Sequence, residues 1–356
     1  MRSPAITLFL ALLFPASSPQ FPPPVTPNAG PNTSLRGLSS SQSKKTQILW
    51  ATGSNGVILR SSDVGKSWSR LHIDKSDTQD LRGVQSFGSD VAYIFSVGIE
   101  NKSHIYKTTN GGRTWSTQYS DPRPAFFLDG LACRAEKDCL AISDPIDGKF
   151  PILHTEDGEH WTELPQDSEP SALPTEGLFA ASNSSLILCG PNQNDIFFAT
   201  GGPAARVFHS SDNALSWSVV TTPILSGNAT SGIFSIACYD RTLVAVGGDY
   251  RDPEATKSVA AYSNDMGATW HLAEQPPAGY RSAVTSLGPK YPEVWVAVGV
   301  TGADISTDSG VHWSSFHHEN ANAALAIAPG LVLTVGPKAA MAQIRFPAQP
   351  QPSNRH

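Results

Sequence analysis

Ser61-Ser62-Asp63-Val64-Gly65-Lys66-Ser67-Trp68 decides the fold, because the chain repeats it. The same pattern returns as Thr108-Thr109-Asn110-Gly111-Gly112-Arg113-Thr114-Trp115 and, degraded, as His154-Thr155-Glu156-Asp157-Gly158-Glu159-His160-Trp161. It returns again as Ser210-Ser211-Asp212-Asn213-Ala214-Leu215-Ser216-Trp217, as Ser263-Asn264-Asp265-Met266-Gly267-Ala268-Thr269-Trp270 and as Ser306-Thr307-Asp308-Ser309-Gly310-Val311-His312-Trp313. Successive tryptophans are 47, 46, 56, 53 and 43 residues apart, a period that calls for stacked or radial units. Each copy has the chemistry of a tight hairpin. The carboxylate or amide accepts N–H bonds within the turn, glycine (Ala214 in the fourth copy) stands where positive φ is needed, and Trp covers the hairpin with a large apolar face. Asp63, Trp68, Asn110, Trp115, Trp161, Asp212, Trp217, Asp265, Trp270, Asp308 and Trp313 are therefore read as determinants of fold.

Around each hairpin lie the other strands of a unit. Gly83–Phe87 alternates, Asp90–Val97 is apolar, His104–Lys107 leads into the hairpin and Trp115–Tyr119 leads out. Four short strands in about 47 residues is the spacing of a β-propeller blade, and no sustained helical periodicity competes with it. Inner strands align from Leu35-Arg36-Gly37-Leu38 and Leu81-Arg82-Gly83-Val84 through Asp129-Gly130-Leu131, Glu176-Gly177-Leu178, Ser231-Gly232-Ile233 and Ser282-Ala283-Val284 to Ala323-Ala324-Leu325. That series predicts an all-β, seven-bladed propeller with the hairpins at the turns between strands c and d of each blade. Six blades is the alternative count. The last unit has no hairpin motif of its own, so residues around Val25–Thr33 are expected to complete it and close the ring.

The pattern S-x-D-x-G-x-[ST]-W is the Asp-box, or bacterial neuraminidase repeat. Over roughly Leu35 to Phe346 the chain resembles the photosystem II assembly and stability factor family and its non-photosynthetic bacterial relatives. The carrying residues are the boxes and the LRG inner strands; Gly111-Gly112-Arg113-Thr114-Trp115 is close to that family's box. The resemblance implies a seven-bladed, exported assembly or scaffolding protein. Sialidases share the box, so fold alone does not decide function.

Charge and composition narrow the classes. Lys plus Arg is 25 and Asp plus Glu is 31, a net charge of −6 with no basic run, which excludes nucleic acid as the expected partner. Hydrophobic residues are 40% and charged residues 16%, so the chain is built to fold. Met1-Arg2-Ser3-Pro4, the apolar run Ala5–Phe14 and Pro15-Ala16-Ser17-Ser18 have the layout of a secretory signal peptide, residues 1–18. A Pro-rich linker is expected over 19–31, the propeller over 32–346 and a disordered tail over 347–356. The mature protein is expected to be a monomer, periplasmic or extracellular, without a transmembrane segment.

Blade topology places the starts of the a strands and the b–c loops on one face, at the channel mouth. The aligned a-strand position reads Arg36, Arg82, Asp129, Glu176, then small residues. An Arg82–Asp129 pair pinning adjacent blades is one reading; a polarised pocket for a charged ligand or partner side chain is the sharper one. Asp144, Asp249, Tyr250, Tyr280 and Arg281 join the candidate site from the loops. Asp144 and Asp147 are spaced like calcium ligands, but two carboxylates are too few, and turn-stabilising roles are expected. No nucleotide or zinc motif is present, and no cofactor is expected.

The leading functional expectation is a non-enzymatic scaffold that binds a protein at this face, with no catalytic residue assigned. The alternatives are a glycan-binding propeller and a sialidase-type glycosidase. For the latter, Arg36, Arg82, Arg281, Tyr280, Glu176 and Asp144 are suitable residue types. The F/Y-R-I-P motif of sialidases is missing, and Ile344-Arg345-Phe346-Pro347 does not match it. Cys133 and Cys139 flank a turn and are expected to form a disulfide, whereas Cys189 and Cys238 read as buried free thiols on inner strands. Asn32, Asn101, Asn183 and Asn228 begin glycosylation sequons.

Overall fold

Apolar runs such as Val91–Val97 and Trp295–Gly299 are buried along their length, as strands must be when sheets cover both their faces. The structure, a computed structural model, describes residues 19–20, 27, 29–30, 32–44, 46–74, 76, 78–317 and 319–347. The signal peptide, most of the linker and most of the tail lie outside the described residues.

Seven antiparallel sheets form the blades. Blade one holds β1 (Leu35–Ser43), β2 (Thr46–Gly53), β3 (Val57–Ser61) and β4 (Ser69–Leu71). Blade two holds β5 (Asp80–Phe87), β6 (Val91–Val97), β7 (His104–Thr108) and β8 (Ser116–Ser120). Blade three holds β9 (Leu128–Ala135), β10 (Asp138–Ser143), β11 (Ile152–Thr155) and β12 (Thr162–Glu163). Blade four holds β13 (Leu186–Cys189), β14 (Asp195–Ala199), β16 (Arg206–Ser210) and β17 (Ser218–Thr221). The two-residue β15 (Gly201–Gly202) leaves blade four and becomes the innermost strand of blade five, beside β18 (Asn228–Tyr239), β19 (Thr242–Asp249), β20 (Ala260–Ser263) and β21 (His271–Leu272). Blade six holds β22 (Ala283–Ser286), β23 (Trp295–Gly299), β24 (Gly302–Ser306) and β25 (Ser314–His317). Blade seven holds β26 (Ala323–Ala328), β27 (Leu331–Val335) and β28 (Met341–Arg345). The inner strands pack in sequence around the axis, and β1 against β26 completes the ring.

The closing strand expected at Val25–Thr33 lies partly outside the described residues, which omit 25, 26, 28 and 31. The described residues of that stretch contain no strand, and the partner of β28 is Gln20, which exchanges two 2.9 Å main-chain bonds with Arg345. Ala29 instead packs beside Ala339 and Met341, in the seam between blades seven and one.

The boxes sit at the c–d turns. In blade one, Ser67 N–H and Oγ–H donate to the Asp63 carboxylate at 2.9 and 2.6 Å, and Gly65 N–H donates to Ser61 Oγ at 2.9 Å. The Ser67 hydroxyl is the main reason that Asp63 titrates as low as about 2. Asn110 fills the same place in blade two, accepting Thr114 N–H at 2.9 Å and donating to Thr114 Oγ1 at 2.7 Å. Blade three is one residue short between Thr155 and Trp161, and there Asp157 takes His160 N–H at 2.8 Å. Each box Trp packs in the seam with the preceding blade: Trp115 beside Trp50, Trp161 beside Tyr93, Trp313 beside Val244 and Val246. The repeat is thus the unit of inter-blade adhesion as well as of turn formation.

Candidate functional site

At the channel mouth the LRG segments bring two cations together. A Cβ on Gly37 would lie 2.9 Å from the Gly83 Cα and 2.2 Å from Thr52 Oγ1, so β1 and β5 approach this closely only because glycine stands there. Arg36 is half-buried beside Arg82, and burial, then the Arg82 charge, lower its affinity for a proton.

A segment of blade four spans the channel. Residues 177–184 precede β13, and their contacts reach five other blades. Arg82 Nη1 donates to Ala180 O at 2.6 Å and Arg36 Nη1 to Ala181 O at 3.4 Å. Leu178 N–H donates to Asp144 Oδ1 at 2.9 Å. Asn183, at φ 57°, pairs with both main-chain groups of Leu131, at 2.9 and 3.1 Å. Phe179 stacks on Phe234 of blade five at 3.7 Å between centroids, and Ser182 Oγ donates to Ser282 O of blade six at 2.9 Å. This strap fills the channel and leaves a cavity of about 530 Å³ above it.

Arg36, Arg82, Asp129, Asp144, Tyr250 and Tyr280 all line that cavity. Arg82 is paired with Asp80, Nε to Oδ2 at 2.7 Å, so the expected Arg82–Asp129 pair is replaced by a pairing within the same strand. Asp129 is 1% exposed and lies beside Asp144. Burial first and the Asp144 charge second raise Asp129 well above the usual carboxylate range, and burial raises Asp144 to about 6. Both carboxyls thus hold a proton more tightly than a free carboxyl does. Tyr280 is buried edge-on to Phe234 at 4.7 Å, and burial pushes its hydroxyl up; Tyr250 is half-exposed beside the same ring.

Three expected site residues lie elsewhere. Glu176 is buried in an ion pair with Arg206 and accepts from Thr200 Oγ1 at 2.6 Å and Leu173 N–H at 2.7 Å. It belongs to the strap's root: strand a of blade four begins at Leu186, so the Glu176-Gly177-Leu178 alignment falls in the insertion. The 56-residue gap between Trp161 and Trp217 is the sequence signal of that insertion. Arg281, 1% exposed, is turned into blade six, where it pairs with Asp304 and donates to Thr301 Oγ1 at 2.7 Å. Asp249 organises a rim turn, accepting Arg251 N–H at 2.9 Å and Asn228 Nδ2 at 3.2 Å. Phe179 and Phe234 also line the cavity and Asn183 holds the strap to blade three; the alignment reveals none of them. Asp147 is exposed in a turn closed by Ile146 and Lys149. Among the described residues no group of three His, Cys, Asp or Glu side chains is placed to hold a metal.

Cys133 and Cys139 are disulfide-bonded across the β9–β10 hairpin. The expectation of free thiols at Cys189 and Cys238 is corrected: they form a second disulfide, between β13 of blade four and β18 of blade five. Inner strands of neighbouring blades run side by side, so cysteines 49 residues apart, about one repeat, meet at the same height.

Comparison with known proteins agrees with this architecture. The Photosystem II assembly protein Ycf48 of Synechococcus sp. (strain JA-2-3B'a(2-13)) is 25% identical over 213 residues, 59% of this chain and 54% of that protein. The Photosystem II assembly lipoprotein Ycf48 of Synechococcus sp. (strain CC9902) is 28% identical over 72 residues, 20% of each chain. The chain spans about half the length of the first curated relatives it matches. A solved structure described as YCF48 bound to D1 peptide superposes with a TM-score of 0.62 at 15% identity, over 91% of this chain and 97% of that one. The family described as Photosynthesis system II assembly factor YCF48 matches residues 38–275, about two thirds of the sequence, and the chain belongs to that family.

Proposed function

We propose that this protein is an exported, non-enzymatic assembly-factor propeller that binds a polypeptide segment of a protein partner at its channel-mouth face. One observation carries the reading. Arg36 and Arg82 already hold main-chain carbonyls, those of Ala181 and Ala180, in a cavity with room for more chain. A guanidinium is a multiple donor, so the same two groups suit the carbonyls or a carboxylate of an incoming peptide. The family assignment supports an assembly role, and a similar fold has been solved with a peptide bound. Export is supported by the leader-like Met1–Ser18 and by a relative named as a lipoprotein. Among the described residues no helix is long and apolar enough to cross a membrane.

The glycosidase alternative loses its support. Glu176 and Arg281, two of the residues it needs, are each locked in a buried ion pair outside the cavity. A glycan ligand remains a second reading on one observation, the exposed Tyr250 ring at the cavity rim.

The test is co-purification of tagged mature protein from its native host, comparing wild type with the Arg36→Ala, Arg82→Ala double variant. A stoichiometric protein retained by the wild type and lost from a folded variant supports the reading. A partner retained equally by both sinks the channel-mouth assignment. Recovery of no protein by either form removes the scaffold reading.

A further inference from the structure

Beside the main cavity, on the other side of the strap, runs a second groove of about 410 Å³. Asp144, Leu178 and Phe179 line both, so the two share a wall. The walls of the groove are of mixed character, their apolar part made by Ile99, Ala125, Pro145, Leu178 and Phe179 among others, and Ile99 is 53% exposed. Its ionisable lining consists of Asp144 and Glu176, and no Lys or Arg lines it. Glu176 is already satisfied by Arg206. Asp144 is therefore the one acidic group of the groove's lining without a basic partner.

Behind Asp144 stands Asp129, whose buried Oδ2 has no hydrogen-bond partner among the described residues. Arg82 faces Asp129 from the cavity side but pairs with Asp80 and donates to Ala180 rather than to Asp129. Arg36 donates to Ala181. A half-buried carboxylate with no basic partner gains a charge-assisted hydrogen bond from a cation that enters the groove.

We propose that this groove is the seat for a basic side chain, lysine or arginine, of the bound polypeptide. Its methylene stem lies along Ile99, Pro145 and Leu178, and its cationic head meets Asp144, with Asp129 behind. Long basic side chains have this two-part character, an apolar stem and a charged tip. The proposal rests on the peptide-binding reading above and adds the partner's chemistry: a segment that presents a basic residue next to the carbonyls or carboxylate held by Arg36 and Arg82. Burial raises the affinity of both carboxyls for a proton, so a proton competes with the cation and affinity falls as pH is lowered.

The probe is Nα-acetyl-lysine amide, titrated into ¹⁵N-labelled mature protein at neutral pH, with Nα-acetyl-norleucine amide as its uncharged counterpart. The expected result is saturable shifts of the Asp144, Gly177 and Leu178 amides, with the lysine compound at least about fivefold tighter. Those shifts weaken on acidification and vanish in Asp144→Asn, which keeps an oxygen to accept the Leu178 N–H. Equal binding of the norleucine amide, binding unaltered in Asp144→Asn, or no shift up to the solubility limit overturns the proposal. The lysine-against-norleucine comparison in wild type needs no variant, so it decides the matter even if Asp144→Asn does not fold. If the lysine amide binds as stated while Arg36→Ala, Arg82→Ala protein keeps its partner, the channel-mouth reading fails and the seat stands. The reverse result removes the seat alone.

Discussion

Arg82 Nη1 lies 2.6 Å from the carbonyl oxygen of Ala180, joining residues 98 positions apart and fastening blade four's insertion to blade two. The same guanidinium holds Asp80 in its own strand, so one side chain fixes both the mouth of the channel and the segment that fills it.

Arg82→Ala should therefore loosen the strap without unfolding the ring. A hydrogen bond from a charged donor contributes about 1.5–3 kcal/mol, so a loss of that order in stability is expected. Hydrogen exchange should accelerate at Leu178–Asn183 and remain slow in β6 and β23. Uniform acceleration in all blades would show that the contact supports the whole ring instead.

The pH dependence has two arms of opposite sign. Asp63, Asp212 and Asp265 titrate near 2 in the folded protein because box hydroxyls and N–H groups hold their carboxylates. Their contribution is present above an unfolded value of about 3.9 and is lost as pH falls toward 2. Asp129 and Asp144 are raised by burial, so the folded state holds their protons more tightly than the unfolded chain. Their effect runs the other way: stability declines from about pH 4 up through the folded value of Asp144, about 6. Urea titrations across this range should show that decline in wild type and a flatter curve in Asp144→Asn. Parallel curves would mean that the two carboxyls are not desolvated in solution.

The box tryptophans should differ in weight. Trp313 is 1% exposed and donates to Gly310 O at 3.0 Å, whereas Trp115 is half-buried with an Nε1 that meets no acceptor among the described residues. Trp313→Ala is expected to cost about 3–5 kcal/mol, the range for deleting a buried aromatic. Trp115→Ala should cost visibly less. Chemical denaturation of the two variants ranks them directly, and the reverse order would refute the burial argument.

The two disulfides should also contribute unequally. Cys189–Cys238 closes 49 residues and ties two blades, and Cys133–Cys139 closes only 6 within one hairpin. Loop-closure entropy assigns about 4 kcal/mol to the longer link and less to the shorter. Replacing Cys189 and Cys238 together by Ser should lower the melting temperature more than replacing Cys133 and Cys139. Equal effects would place the stabilisation in the folded state's local packing.

Most of the ring is legible from its tryptophans, because a box needs particular atoms at particular spacings and so survives in the letters. Arg36 and Arg82 are legible for the same reason: LRG marks a close approach of strands that only glycine permits. The strap is not. Glu176-Gly177-Leu178 imitates the start of an inner strand, and nothing local distinguishes an imitation from a strand; only the long interval before Trp217 betrays it. Arg281 is misplaced because a residue one position before the channel-facing Ser282 faces the interior of its own blade. Asp144 is recognised as a candidate, but its partner Asp129 gains its character from burial, which a sequence does not display.

Gln20 and Arg345 are neighbours on the outer edge of blade seven, and in a seven-membered ring that edge stands opposite the seam of blades three and four, where the strap originates. Anything joined to the ring through Gln20 or Arg345, whether a lipid leash, a fusion or a surface attachment, is attached at the outer edge of blade seven, away from the central cavity that Asp144 lines. Such a leash would let the disc swing with its mouth unshaded, and immobilising the protein through either terminus would keep the groove open to solution.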